Sequence, residues 1–160
     1  SIVALSGCGY TFTGMASTDS AASSSHLMPE LRSLVLARVE NSGTEPWLEP
    51  RLRSLIRDEF TRRRLATWTE NAKATSKLTV IIKRYSRGAL LSGQQSQSIK
   101  LSTTLTLEFR VHRTSDGALL WASGEQNQIE SFFPGDSEGA DLRVTDLAVR
   151  RMADLMSQNY

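Results

Sequence analysis

The sequence predicts an α+β fold, a two-layer sandwich in which two helices pack on one face of a four-stranded mixed sheet, in the order β-α-β-β-β-α. Apolar and polar residues alternate from Ile99 to Val111, which is typical of a long strand with one dry and one wet face. Two further segments, 47–60 and 142–156, repeat their apolar residues at helical spacing. We expect both helices to cover the apolar side of that strand.

The composition is that of one ordinary globular domain. The chain has 160 residues, of which 39% are hydrophobic and 22% charged. Nineteen Lys and Arg against seventeen Asp and Glu give a net charge of +2. This small charge predicts no nucleic-acid partner, and an anionic ligand would need a local basic patch. No segment of the sequence approaches the 18 consecutive apolar residues of a membrane-spanning helix.

The first half of the predicted domain contains a strand, a helix and a second strand. Residues 31–39 are rich in Leu and Val and are followed by a turn at 41–44, which predicts strand one. An amphipathic helix begins near Pro50, a residue that the first turn of a helix tolerates. Strand two covers 78–83, and the Gly, Gln and Ser residues of 87–98 predict a polar loop.

The second half begins with the alternating strand and ends with a helix. A hairpin turn at 115–117 follows that strand, and 119–128 is predicted to return antiparallel to it. The segment from Leu142 to Met156 then has apolar residues on one side and charged residues on the other, which predicts the last helix.

The single cysteine lies in a sequence typical of lipoprotein processing. Small and apolar residues run into Leu5-Ser6-Gly7-Cys8, which resembles a bacterial lipobox. Gly9 stands where Asp would favour retention in the inner membrane, so sorting to the outer membrane is expected. We predict a lipid on Cys8, with 1–8 as the end of a signal peptide, 9–30 as an N-terminal segment and flexible tether, and 31–158 as the folded domain. The alternative is a free cysteine buried in a first strand.

The side chains that catalysis or metal binding would need are scarce. One cysteine cannot form an intramolecular disulfide, and His26 and His112 lack the usual spacing of zinc ligands. No Gly-x-Ser-x-Gly motif is present. The acidic residues Asp136, Glu138 and Asp141 are interpreted as stabilising the start of the last helix rather than forming an acidic site. The prediction is a protein without catalytic residues, metal or cofactor.

One basic cluster is the candidate binding site. It borders the predicted polar loop and consists of Lys83, Arg84, Arg87 and Lys100. Arginine forks and lysine ammonium groups are suited to anionic sugar phosphates. The alternative is a solvated strand end without a binding role.

Several landmarks follow one another along nearly the whole chain. These are Cys8-Gly9-Tyr10-Thr11-Phe12, the segment from Glu40 to Pro46, the helix pattern Leu52-x-x-Leu55-Ile56-x-x-Glu59-Phe60, the Thr/Leu-rich long strand, and Ala148-x-Arg150-Arg151-Met152-Ala153. Their order and spacing resemble the lipopolysaccharide-assembly family LptE. The resemblance implies a lipoprotein of the Gram-negative outer membrane that lies inside the β-barrel LptD as a plug, supports its assembly and contacts lipopolysaccharide during insertion. The basic cluster would then bind lipopolysaccharide.

Two other functions remain compatible with the sequence. A lipoprotein with a similar scaffold could activate peptidoglycan synthesis, with an inner-membrane synthase as its partner. A secreted hydrolase is the third possibility, and only a turnover assay would favour it.

Overall fold

The computed structural model describes residues 33–91 and 99–158, which contain six strands and two helices. In chain order these are β1 (Ser33–Asn41), α1 (Leu48–Arg62), β2 (Thr67–Trp68), β3 (Ser76–Leu91), β4 (Lys100–Arg113), β5 (Leu119–Ala122), β6 (Gln126–Phe132) and α2 (Ser137–Gln158). Among these residues, neither helix combines the length and apolar character that crossing a membrane requires.

The six strands form one mixed sheet, in the order β2-β1-β3-β4, and the far edge of β4 pairs with both β5 and β6. Strand β1 is parallel to β2 and β3, whereas the pairs that involve β4 are antiparallel. Both helices pack on the same face, and the opposite face is called the open face below. The predicted two-layer α+β sandwich is confirmed. The two additional strands are the two-residue β2 and the division of the return strand into β5 and β6.

The first part of the predicted polar loop belongs to a strand. Residues 87–91 continue β3, because Arg87 pairs with Thr103 and Ala89 pairs with Leu101 of β4. Tertiary pairing with a long neighbouring strand overrides the low strand propensity of Gly88. Residues 92–98 of the predicted loop lie outside the described residues.

The return strand is interrupted between Ala122 and Gln126. The Ser123 backbone N–H donates to the Phe109 carbonyl at 2.9 Å, and the Phe109 N–H donates to the Ser123 hydroxyl oxygen rather than to a carbonyl, also at 2.9 Å. Gly124 adopts φ +67°, a backbone conformation that most residues avoid. A side chain thus replaces one backbone acceptor at this break.

The hydrophobic core lies between the helices and one side of β4. The odd-numbered residues Leu105, Leu107, Phe109 and Val111 are all buried there, as their alternation predicted. They contact the buried faces of both helices, to which the principal contributors are Leu52, Ile56, Phe60, Val144, Val149 and Met152. The core therefore closes only when both helices are in place.

The open face is polar, but its centre is drier than the sequence indicated. We predicted that even-numbered β4 residues are wet, yet Thr106 and Glu108 are each only 7% exposed. Asn127 accepts a hydrogen bond from Thr106. The Glu108 carboxylate accepts a bond from Arg110 at 2.7 Å and lies 3.4 Å from the Lys83 ammonium. The prediction of a wet second face is wrong at these two positions, because long polar neighbours cover them.

The first prediction concerns Glu108. The hydrogen bond from Arg110 lowers the pKa of the Glu108 carboxyl, against the opposing effect of burial, and Lys83 lowers it further. Because the carboxyl has a lower pKa in the folded than in the unfolded protein, its ion pairs stabilise the fold fully above about pH 4.5. This stabilisation is lost as the pH falls through the carboxyl pKa of the folded protein. Glu108→Gln should therefore lower the free energy of unfolding by roughly 1–2 kcal/mol at pH 7, and by less at pH 3.

Urea denaturation at both pH values measures this difference. The matched control is Glu70→Gln, since Glu70 is an exposed carboxylate and its loss should cost less than about 0.5 kcal/mol at either pH. A Glu108→Gln deficit that is equal at pH 7 and pH 3 would show that the ion pairs do not stabilise the fold.

Candidate functional site

A bulge in β3 distributes the basic cluster over both faces of the sheet. The register with β4 shifts between Ile82 and Arg84, so Lys83 is an extra residue in the strand. A one-residue shift exchanges the faces to which side chains point. Beyond the bulge, Arg84 lies on the open face, whereas Arg87 points to the helices and contacts Asp141 of α2.

Arg87 already has an internal partner. The Asp141 carboxylate accepts hydrogen bonds from the Arg87 guanidinium and from the Tyr85 hydroxyl. The guanidinium also lies 5.7 Å from the centre of the Tyr85 ring, which Trp47 contacts edge-on at 5.5 Å. Burial raises the pKa of the Tyr85 hydroxyl above its ordinary value, and the bond to Asp141 raises it further, so the phenol stays neutral. A ligand must compete with Asp141 for Arg87.

The interpretation of the acidic segment changes for one residue. Asp141 was expected to act at the start of the last helix, but α2 begins at Ser137 and Asp141 lies in its second turn, directed at β3. Asp136 immediately precedes the helix and pairs with Arg143 at 3.2 Å. Because α2 begins before Asp141, this residue shares a helical face with the buried Val144 and Ala148, and the sequence did not indicate a helix start that early.

Lys83 and Arg84 border a cavity of about 280 Å³ between the β3 bulge and the β1–α1 connection. The cavity is lined by Asn41, Ser42, Gly43, Thr44, Glu45, Leu48, Ile82, Lys83, Arg84 and Tyr85. Lys83 is held 3.4 Å from Glu108 and 3.9 Å from Glu125. Arg84 is exposed and has no ion pair or hydrogen bond with the other described residues. Its guanidinium is available to a ligand.

Lys100 lies apart from the other three cations. It begins β4 and pairs with Leu91, seven residues beyond Arg84 along β3. At the usual rise of a strand this separates the two positions by roughly 23 Å along the sheet. Lys100 is half-buried and shares the open face with Arg84, and it too has no ion pair within the described part of the chain. The structure therefore joins Lys83 with Arg84 and does not bring all four residues to one rim.

A second cavity, of about 450 Å³, lies on the helix side of the sheet beside Arg87. Its lining is largely apolar and includes Leu101, Phe132 and Pro134. Sequence reasoning identified neither cavity, because each combines residues from strands and turns that are distant in the chain. The one local signal was the small polar turn after β1, interpreted only as a turn.

The remaining predicted residues carry less structural information. Cys8 and His26 lie outside the described residues, and His112 pairs with Lys77 near the end of β4. The described ranges contain no group of three or more His, Cys, Asp or Glu side chains placed to hold a metal ion.

Comparisons with known proteins agree with this architecture. The family model LptE, described as lipopolysaccharide-assembly, matches residues 31–159. A putative lipoprotein from Caulobacter crescentus has a TM-score of 0.56 at 18% identity, over 86% of this chain and 95% of that chain. A minor lipoprotein from Acinetobacter baumannii has a TM-score of 0.53 at 11% identity, over 80% and 92%. A search of curated proteins finds no significant match.

The structural likenesses establish the fold alone, since their sequence identities are low. The family match is independent of them and extends over the entire folded domain. It agrees with the resemblance identified from the order of landmarks in the sequence. This chain belongs to the lipopolysaccharide-assembly family LptE.

Proposed function

We propose that this chain is a non-catalytic outer-membrane lipoprotein that plugs the lumen of the β-barrel LptD, supports barrel assembly and assists lipopolysaccharide insertion. Family membership supports the role in lipopolysaccharide assembly. The polar open face suits a plug, because the interior of a large transmembrane barrel is polar. That face presents hydroxyl and amide side chains of β4 and β6, including Ser102, Thr104, Asn127 and Ser131.

The second prediction is that the LptD barrel co-purifies with this chain. A plug that assists assembly should be extracted from membranes as a stable complex, so affinity purification of the tagged full chain in mild detergent should yield LptD in near-equal amount. Identification of the bound proteins by mass spectrometry checks this. Recovery of an inner-membrane peptidoglycan synthase without the barrel would instead favour the alternative lipoprotein function.

The basic cluster is proposed to bind the phosphates of lipopolysaccharide through Lys83, Arg84, Arg87 and Lys100. The observation that carries this proposal is the open-face location of Arg84 and Lys100, without carboxylate partners among the described residues. The other two contribute less in the proposal, since Glu108 binds Lys83 and Asp141 binds Arg87. Separation of the two principal cations suits a ligand with several phosphates better than a single small anion.

The third prediction tests this division. Charge-assisted hydrogen bonds contribute about 1.5–3 kcal/mol each, so Arg84→Ala with Lys100→Ala should weaken lipopolysaccharide binding on the order of a hundredfold. The thermal midpoint should change little, because neither side chain has a partner among the described residues. Binding should also weaken with increasing salt.

The matched control removes the same charge from the helix layer. Arg57 and Arg151 are exposed residues of α1 and α2, and the variant Arg57→Ala with Arg151→Ala should keep its affinity. Equal affinity of the two double variants, each with an unchanged midpoint, would exclude Arg84 and Lys100 from the binding site and leave the plug function to be judged by the barrel purification.

The fourth prediction concerns the proposed anchor at Cys8. A thioether-linked lipid on this residue would hold the domain at the membrane, since each buried methylene contributes about 0.8 kcal/mol. The intact mass of membrane-extracted protein should correspond to a chain that begins at Cys8 and carries acyl groups. Cys8→Ser should abolish the added mass and release the protein from the membrane. An unmodified mass with residues 1–7 retained would contradict the anchor.

A further inference from the structure

The edges of the described sheet at β1 and at β6 differ in how they are protected against pairing. Edge strands expose unpaired backbone groups, and charged residues, prolines and bulges normally block them. Beyond β2, the edge of β1 has a bulge between Leu36 and Arg38, and Arg38 lies 3.5 Å from Glu40 in an exposed ion pair. Strand β6 contains no Lys, Arg or Pro, and its one charged residue is Glu130. Of these two edges, the β6 edge is the less protected one.

The backbone direction of β6 follows from its register with β4. The Phe109 N–H and carbonyl point towards Ser123. Backbone groups alternate in direction along a strand, so the N–H and carbonyl groups of the other odd-numbered β4 residues point to the same edge. Their partners in β6 are the even-numbered residues, from Gln126 to Phe132. The N–H and carbonyl groups of Asn127, Ile129 and Ser131 therefore point away from the sheet, and no other strand in the described residues pairs with them.

The β6 sequence is complementary to itself in antiparallel pairing about Ile129. Ile129 then faces Ile129 of a second copy on the open face, where this side chain is 56% exposed. Asn127 faces Ser131, and the Gln128 amide faces the Glu130 carboxylate, so no like charges are opposed. About six backbone hydrogen bonds can form between the outward groups. A pairing centred on Glu130 would instead place two carboxylates opposite each other, which is unfavourable.

We propose that β6 is an interaction surface for a second copy of this chain, and that two sheets join antiparallel about a two-fold axis at Ile129. Sheet extension of this kind gains main-chain hydrogen bonds, and the buried isoleucine pair adds apolar contact. The two-fold arrangement places the helices of both copies on the same side of the continuous sheet. The inference does not depend on the function proposed above, because β6 pairing involves none of the four cations.

Cross-linking of the full chain tests the pairing directly. Hydrogen-bonded antiparallel partners have Cα atoms about 5.5 Å apart, within the range that a disulfide spans. With Cys8→Ser as background, so that one thiol remains, Ile129→Cys should form a disulfide-linked dimer under mild oxidation. Leu119→Cys is the matched control, since Leu119 is 57% exposed on β5, beyond the break in the strand. It should cross-link at least tenfold more slowly.

Light scattering of the same Cys8→Ser chain over a concentration series provides the second measurement. The mass should approach that of two chains as concentration rises. Ile129→Lys should raise the dimer dissociation constant at least tenfold, because two ammonium groups then face each other, and Leu119→Lys should not. The thermal midpoint of Ile129→Lys at low concentration identifies any loss of folding. Equal cross-linking rates at 119 and 129, or a monomer at every concentration, would overturn the proposal.

Discussion

The two different faces of β4 are the constraint on which the rest of the structure depends. One face carries Leu105, Leu107 and Phe109 beneath both helices, and the other carries Thr106 and Glu108 beneath polar side chains. A carboxylate in a sheet centre is costly unless it is paired, which Arg110 and Lys83 ensure. Strands β3, β5 and β6 all hydrogen-bond to β4, and both helices pack on its apolar side, so this strand contacts both layers of the sandwich.

The β3 bulge at Lys83 has the largest consequence for function. It turns Arg84 to the open face and directs Tyr85 and Arg87 to the helices, where Asp141 binds both. One basic run along the chain thus becomes two groups with different roles. The Arg87–Asp141–Tyr85 group ties β3 to α2, while Arg84 keeps a guanidinium free of the described carboxylates. The fold thereby separates a stabilising arginine from an available one only three residues away.

Membership in the lipopolysaccharide-assembly family agrees with the distribution of polar groups over the molecule. The plug function proposed above would require a polar surface towards the barrel lumen, and the polar side chains of β3, β4 and β6 on the open face are compatible with that proposal. The same face ends at the less protected β6 edge, so the surface proposed to contact a barrel and the edge proposed to pair with a second copy adjoin each other. Ile129 is an exposed apolar residue within this polar region, with 56% of its surface exposed.

Periodicity along the chain was sufficient to predict the two helices, the long strand with its buried odd positions, and the sandwich that they form, because local spacing dictates which side chains share a face. The four cations were chosen because they border the predicted polar loop, and the structure separates Lys100 from Lys83 and Arg84 and pairs Arg87 with Asp141. Periodicity could not predict the bulge at Lys83, the extension of β3 to Leu91 or the pairing of Arg87 with Asp141. Those features depend on the register between strands and on contacts between the sheet and the helices. A one-residue register shift, which the sequence pattern does not indicate, decides that Arg87 pairs with a carboxylate and that Arg84 is exposed to solvent.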